Sequence, residues 1–585
     1  MSETWTVVST ALLMGLVLGL VEGSYLLAKL FLWRSPVTGL FGASADMAWL
    51  APLANAVVLG AVALLGLILT SRARWLSDRT DALVLGLAVL SLTQWSGRLH
   101  MWAGALVALG VAVRWDSGGR PGLATLRRVA PRWSVPALSL VLAFGIGMHA
   151  WARRSAAAEA PLPAGIEAAA SGRPNVVLLV LDTERANSLA LFTEGGVSAP
   201  ATDGLAAGGV RFASAIAPSS WTLPSHASLF TGRAPPHLGA GRGEVLTLET
   251  ETLAQAFANA GYETRGYAGN LHFLTPLHGL TPGFEAWDST PLEVGTALSS
   301  AWLVRQPVTV LRRVLGLHPY LIDRTATDVN RSIARWKERR ADDRPFFVFV
   351  NYFDAHEPYV TESGGSLLSQ WRGPINFLAR GESADAYSAE EISELRAGYE
   401  AAITELDGGI GEVLALLASG DTSNTLVVVT SDHGEEFGGH GAMSHGHTLY
   451  QPALRVPLVM RLPGVLPAGL EVVEPVGIID VAATLLDLAG VTGHSVGGRS
   501  FAGALRSGAA MDPRIVFSET GDERSVVADS FHLIRHADGA EELYRLDDRW
   551  EARPLSGAVY APVVSALQGL LDQQSDTDTG PSGRR

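Results

Sequence analysis

The chain has 585 residues, enough for more than one domain and for a large buried core. A formal net charge of −14 argues against a nucleic-acid partner, which would want a basic stripe. There is no cysteine, which excludes disulfides, thiolate metal sites and a cysteine nucleophile and leaves the redox compartment open. The basic residues are nearly all arginine; Lys29 and Lys337 are the only lysines.

Apolar residues make up 48% of the chain and are concentrated in the first 150 positions. Val7–Trp33 and Ala48–Thr70 are long apolar runs, and a span needs about 20 apolar residues. Asp81–Thr93 and Leu99–Val113 are shorter and read as a tight hairpin of two spans, and Ser134–Trp151 as a fifth. Residues 71–80 carry Arg72, Arg74 and Arg79, and residues 114–133 carry Arg114, Arg120, Arg127, Arg128 and Arg132. The positive-inside rule places both loops in the cytoplasm, so that everything after Trp151 lies outside, in the periplasm or extracellular space. The first apolar run has neither a basic leader nor a small-residue cleavage site, so a cleaved signal peptide is not expected. Glu22 lies inside the first run; an acid beside a water-filled gap is the plainer reading, a functional acid the sharper one.

Residues 153–173 are rich in Ala, Pro and Gly and read as a linker. Expected beyond it are a catalytic domain over 174–510, a C-terminal subdomain over 511–560, and a tail over 561–585, polar and disordered from Gln573. From Arg173 onward short apolar runs alternate with helical stretches, the pattern of a layered α/β domain. Three runs end in metal-ligand chemistry. Asn175–Leu181 leads to Asp182, Pro345–Asn351 to Asp354 and His356, and Thr425–Thr430 to Asp432 and His433. An aspartate after one strand is usually a turn or cap residue. Three strands delivering Asp and His to the same sheet edge favour a site, because sites of α/β sheets lie outside the strands' carboxyl ends.

Within Ser219–Gly232, Thr222 and Pro224 stand where a helix would begin. A helix start offers free amides to an anionic ester, and a hydroxyl beside a metal could become a nucleophile. From spacing alone, cap and nucleophile are equal readings for Thr222. His440, His445 and His447 crowd a glycine-rich loop that is poor core material, so at least one should face a site.

These residues carry a resemblance. The chain from about Arg173 to Leu555 resembles the sulfatase family, a branch of the alkaline phosphatase superfamily. Pro174–Asp182 with Thr183 and Arg185 is similar to the family's opening metal-binding strand, and Thr222-Leu-Pro-Ser-His226 with Thr231-Gly232 to its nucleophile signature. Phe353-Asp-Ala-His-Glu-Pro-Tyr359, Ser431-Asp-His-Gly-Glu435, Arg455–Leu458, Ile479–Gly490 and Glu542–Leu546 match later segments in order. The resemblance implies a mostly parallel α/β sandwich with a small antiparallel C-terminal subdomain, here preceded by a helical transmembrane region. It implies that Asp182, Asp432, His433 and Thr222 hold one divalent metal, with Thr222 attacking. It implies that His356, and His445 or His447, hold the oxyanion or protonate the leaving group, or that His356 and His445 bind a second ion. Arg185, His226 and Asn270 would contact substrate.

The departures bear on the chemistry. Classical sulfatases convert a Cys or Ser at the nucleophile position to formylglycine; Thr222 cannot give that aldehyde. The signature arginine is His226, a lysine near the sulfate is replaced by about Gly446, and a second aspartate is Asn187. An unmodified threonine is typical of superfamily members that handle phosphorus esters, including membrane transferases of phosphoethanolamine or phosphoglycerol. The expectation is a metal-dependent hydrolase or transferase of phosphate esters. Its ion would be Zn²⁺ or Mn²⁺, with Ca²⁺ or Mg²⁺ as alternatives. Its partners would be the bilayer and a lipid headgroup or surface glycan ester. A sulfuric ester hydrolase is the alternative, and an inactive sensor or a transporter the remote ones.

Overall fold

The computed structural model describes residues 3–31, 47–70, 80–94, 101–117, 121–157, 172–238, 246, 250–271, 273–288, 301–304, 324–340, 343–357, 359, 383–418 and 424–578. The chain divides into two compact units. The first is Met1–Ala158 with Thr290–Leu315 and Pro319–Ile322; the second is the remainder.

The first unit is helical: Glu3–Phe31, Met47–Thr70, Thr80–Gln94, Met101–Ser117 and Pro121–Ala157. Three helices have segments long and apolar enough to cross a membrane: Thr4–Tyr25, Trp49–Ile68 and Thr125–Gly147. The middle pair offers only the shorter segments Ala82–Thr93 and Ala103–Arg114. Large apolar side chains such as Leu106, Leu140 and Ile146 are exposed. The first two helices meet along Gly15 and Gly19. A side-chain carbon at Gly15 would lie 2.5 Å from the Ala56 Cα, and one at Gly19 2.3 Å from the Ala51 carbonyl oxygen. Small residues four apart let apolar helices pack backbone to backbone.

Two expectations are corrected. Residues 121–133 are not a loop: one helix begins at Pro121 and carries Arg127, Arg128 and Arg132 on its first turns, continuing through Pro131 and Pro136. Proline fits a helix's first turn, and the apolar stretch after Ser134 sustains the rest. The C-terminal residues from Gln573 are also helical as far as Asp578. Leu567 and Leu571 of that helix are buried against Val526, Leu533 and Leu543, which holds it in place despite its polar sequence.

The second unit is built on an eight-stranded sheet. In chain order the strands are β1 (Asn175–Leu181), β2 (Val210–Phe212), β3 (Ala215–Ile216), β4 (Glu263–Ala268), β5 (Ala286–Asp288), β6 (Phe346–Tyr352), β7 (Thr425–Thr430), β8 (Glu436–Phe437), β9 (Met443–Ser444), β10 (Arg455–Val456), β11 (Leu458–Arg461), β12 (Leu470–Val472), β13 (Val476–Gly477), β14 (Ile515–Thr520), β15 (Glu523–Ala528), β16 (Phe531–Arg535) and β17 (Glu541–Arg545). The large sheet runs β12-β2-β11-β7-β1-β6-β4-β5. It is parallel except at β11, which is antiparallel to both β7 and β2. Strands β1, β6 and β7 are Val-, Leu- and Phe-rich and buried on both faces, as parallel strands between helical layers must be. Their faces feed two hydrophobic cores. Strands β14 to β17 form the small antiparallel meander.

Candidate active site

The three central strands β6, β1 and β7 end side by side. The β1–β7 register pairs Val180 with Thr430, so Asp182 and Asp432 leave adjacent strands at the same level. The turn after β1 is strained. Thr183 has a φ of 64°, unusual for a β-branched residue, and such strain collects at functional sites. It is held by three bonds: the Thr183 amide donates to Asp432 Oδ1 (3.2 Å), its hydroxyl to the Ala355 carbonyl (3.0 Å), and its carbonyl accepts from the Tyr399 hydroxyl (2.9 Å).

Asp182, Asp432 and His433 are fully buried, and one ligand atom from each lies within 4.8 Å of the others. Asp182 Oδ2 accepts from the amides of Asn270 (2.8 Å) and Asn351 (3.3 Å), while the Asn270 backbone amide donates to Asn351 Oδ1 (2.8 Å). Asp432 Oδ1 accepts from the backbone of Thr183 and His433. The second oxygens, Asp182 Oδ1 and Asp432 Oδ2, are buried and have no hydrogen-bond partner among the described residues. His433 Nδ1 faces the Gly434 carbonyl at 3.0 Å, which turns Nε2 toward Asp432 Oδ2 (3.4 Å) and Thr222 Oγ1 (3.2 Å). A ring with one nitrogen fixed on a carbonyl is how a metal-ligating histidine is oriented. Burial, then the Asp432 carboxylate, push Asp182 up to about 6, and burial pushes Asp432 up to about 7. Burial and the neighbouring His445 push His433 down to about 3, so its imidazole is neutral at pH 7, the form that binds metals. Orphaned carboxylate oxygens converging with a neutral imidazole fit a divalent cation, which would reverse the penalty on ionising both acids.

Thr222 opens the helix Thr222–Thr231. The residue at the cap is Trp221, one position earlier than the sequence suggests, and Thr222 is the first helical residue. That leaves its hydroxyl facing His433 at a helix N-terminus, where free amides favour an anion. The helix ends at Gly232 (φ 65°), where a side-chain carbon would sit 2.0 Å from the Gly497 carbonyl oxygen, so only glycine allows this packing.

Beyond His433 lies a row of imidazoles. The His433 and His445 rings are 4.6 Å apart, and those of His445 and His356 4.9 Å apart. His356 stacks on Phe353 at 4.2 Å, and Trp221 covers His445 at 5.3 Å. Glu435, fully buried, holds His445 Nδ1 at 3.2 Å.

A family model for sulfatases matches residues 174–491. The chain belongs to the sulfatase family. Its second unit carries the fold of this family, as solved structures confirm. A phosphonate monoester hydrolase of Agrobacterium radiobacter superposes with a TM-score of 0.53 at 22% identity, over 69% of this chain and 96% of that one. Among curated relatives, an uncharacterized sulfatase, YidJ, of Escherichia coli K12 is 28% identical over 345 residues, 54% of this chain and 68% of that one. An ulvan-active sulfatase of Formosa agariphila is 26% identical over 333 residues, 54% of this chain and 62% of that one. The match thus spans about two thirds of these relatives' length.

Against this sulfatase frame the expected site residues fall into two groups. Asp182, Thr222, Asp432, His433, His356 and His445 come together. Asn270 holds the Asp182 carboxylate. His226, within the same helix, is buried, its Nδ1 on the Thr222 carbonyl (2.9 Å) and 3.4 Å from Asp432 Oδ2, its ring edge-on to Phe230 and Phe349. Arg185 is also buried: its guanidinium bonds Ser188 and the Glu435 carbonyl and packs on the rings of Phe437 and Trp550. Among the described residues, Arg185 Nη2 and His226 Nε2 are buried without a hydrogen-bond partner. His440 turns toward the C-terminal subdomain, stacked on Tyr450 at 3.6 Å and bonded to Glu436 and the Glu551 carbonyl. His447 is half-buried, beyond a Gly446 pressed against the Trp221 ring. Asn187, at the second-aspartate position, accepts from buried Arg455 (2.9 Å). Sequence reasoning missed Asn351, Glu435 and Trp221. Asn351 had a signal, as the one polar residue ending an otherwise apolar strand. The segments Leu292–Arg324 and Val360–Asp385 lie largely outside the described residues.

Proposed function

We propose that this chain is a membrane-attached, metal-dependent hydrolase or transferase of phosphate mono- or diesters, with Thr222 as nucleophile. The observation that carries this reading is the Thr222 hydroxyl, 3.2 Å from His433 Nε2, beside two buried carboxylate oxygens without partners. Asp182, Asp432, His433 and Thr222 would hold the ion, and the mixed imidazole and carboxylate set suits Zn²⁺ or Mn²⁺ better than Ca²⁺ or Mg²⁺. A bound divalent cation supplies Lewis acidity, making a hydroxyl more acidic and an ester phosphorus more electrophilic. Thr222 attacks the phosphorus in line, and the amides of the helix's first turn bind the charge that grows on the non-bridging oxygens. Asn270 and Asn351 keep Asp182 aimed, and Glu435 sets the His445 ring. His445 or His356 protonates the leaving alcohol. The same histidine then takes a proton from water or an acceptor alcohol as that oxygen displaces Thr222 from the phosphorus, and the Thr222 oxygen regains from solvent the proton it released on attack.

The helices of the first unit support attachment to a bilayer, and the arginine distribution supports an extracytoplasmic catalytic domain. The substrates that suit this placement are lipid headgroup or surface glycan esters. Sulfuric ester hydrolysis is the second reading, favoured by the sulfatases among the curated relatives. One assay separates the two. Full-length protein and Thr222→Ala, loaded with Zn²⁺ or Mn²⁺, are compared on p-nitrophenyl phosphate, bis-p-nitrophenyl phosphate and p-nitrophenyl sulfate. Phosphoester turnover that drops by at least about a thousandfold in the variant is expected for a lost nucleophile. Sulfate turnover that survives Thr222→Ala would sink the threonine mechanism.

A further inference from the structure

The first unit contains a piece of chain that the sequence places elsewhere. Residues 301–304 belong to the insertion between β5 and the helix Ala326–Arg339 of the sulfatase domain, yet they pack with the N-terminal helices. The Trp302 backbone amide donates to Glu22 Oε1 at 3.1 Å, across 280 positions of sequence. Leu303 packs against the apolar cluster of Val7, Ala11, Leu18, Leu59 and Ala63. The other Glu22 oxygen accepts from Asn55 Nδ2 at 2.7 Å, and Asn55 also bonds the Ala51 carbonyl at 3.0 Å. Both side chains are buried. The Gly15 and Gly19 contact brings the first two helices together one to two turns away, so the Glu22–Asn55 pair is set by a close backbone crossing.

We propose that Glu22 and Asn55 form a polar socket within the apolar helices, and that the socket's occupant is the chain's own segment at Trp302. The catalytic unit is then fastened to the helical unit by this docked insertion as well as by the linker after Ala157. A buried carboxylate is costly among apolar helices unless its oxygens are bonded, so the backbone amide of an inserted turn completes what Asn55 alone leaves half done. The topology agrees. Glu22 lies near the end of the segment Thr4–Tyr25 and Asn55 near the start of Trp49–Ile68. If the middle pair of helices crosses together or not at all, the end of the first helix and the end of the fifth share one side of the bilayer. An insertion from the domain that follows the fifth helix reaches Glu22 without crossing the membrane. Nothing in this depends on which ester the catalytic site cleaves.

The test uses full-length protein in membranes, with a protease site placed in the 159–171 linker. After cleavage and a high-salt wash, the wild-type C-terminal fragment is expected to stay with the membranes. Trp302→Ala keeps the backbone amide and should retain at least half of the wild-type amount. Trp302→Pro removes only that donor further, at a first helical position where proline fits, and should release several-fold more fragment. Glu22→Leu should do the same. Cleavage before any wash, read on a gel, confirms that each variant is cut equally, and unchanged p-nitrophenyl ester turnover shows that the catalytic unit is folded. Release of the wild-type fragment on cleavage would overturn the proposal. So would full retention of both Trp302→Pro and Glu22→Leu, which would assign the attachment to lipid contact by apolar side chains.

Discussion

Both units of the molecule bury acids, and they do so in opposite ways. Glu22, among the apolar helices, has each carboxylate oxygen bonded, one to Asn55 and one to the Trp302 amide. Asp182 and Asp432, at the strand ends, each have one oxygen hydrogen-bonded and one without a hydrogen-bond partner among the described residues, and the two carboxylates and His433 each bring a ligand atom within 4.8 Å of the others. A satisfied acid is a joint, because folding has already completed its hydrogen bonds. An acid left half-satisfied beside another of its kind is a candidate ligand site, because burying it charged is costly unless a cation pairs with it.

The largest expected break in this comparison is at the metal. Asp432→Asn keeps the shape and the bonds to Thr183 and His433 but removes the charge. Titrating Zn²⁺ or Mn²⁺ into metal-free wild type should raise Tm, since an ion at a hundred times its Kd stabilises the fold by about 2.7 kcal/mol. The variant should show no rise, and turnover should fall below detection. A Tm increase of equal size in Asp432→Asn would mean that the ion binds elsewhere. A smaller effect is expected one layer out. Asn351→Ala removes a donor to Asp182 and the acceptor that fixes Asn270, and should weaken metal affinity or activity by roughly 10–100-fold. Competition with a colorimetric chelator would measure it.

Protonation sharpens the same contrast. Both site acids are raised in the folded state, Asp182 to about 6 and Asp432 to about 7. A folded pKa above the unfolded one means that the folded form holds protons the unfolded form has lost, so stability falls as pH rises from about 4 through 7. Metal-free protein should therefore unfold at lower denaturant concentration at pH 8 than at pH 5.5. Saturating metal should flatten or invert that trend, because the ion competes with protons for the same oxygens. A metal-free protein whose midpoint rises between these pH values would show that other groups dominate.

Much of this was legible in the sequence, for local reasons. β1 and β7 are short runs dominated by branched apolar residues with an aspartate one or two positions beyond their ends, and a strand buried on both faces can hardly read otherwise. The same rule located His356 after β6. What stayed hidden was carried by contacts between distant segments. Glu435 looks like one more charge in a polar loop until His445, ten residues on, folds back over it. Arg185 has the composition of an anion binder, and its packing on the rings of Phe437 and Trp550 is invisible in the sequence. The helix at Pro121 was masked by its arginines, which mark a boundary of charge but not of backbone hydrogen bonding. The Glu22–Trp302 bond spans 280 positions, and no periodicity reports it.

The smallest predicted effect tests the joint between the helices that hold Glu22. Gly19 has no room for a methyl group: it would meet the Ala51 carbonyl oxygen at 2.3 Å and the Pro52 Cα at 2.4 Å, both backbone atoms that cannot rotate away. Gly147, in the apolar segment of the fifth helix, has nothing within 4 Å of the same position. Gly19→Ala should therefore push the first two helices apart and destabilise the helical unit by about 1–3 kcal/mol, the usual cost of overpacking. Gly147→Ala should be neutral or slightly stabilising, since alanine is the better helix former by roughly 1 kcal/mol. Thermal aggregation of the two variants in detergent reads the difference. Because Asn55 lies one turn beyond Ala51 on the second helix, separation at Gly19 should also loosen its bond to Glu22. Gly19→Ala would then partly release the linker-cleaved catalytic fragment, while Gly147→Ala would not. Equal stability of the two variants would mean that the first two helices do not meet at Gly19.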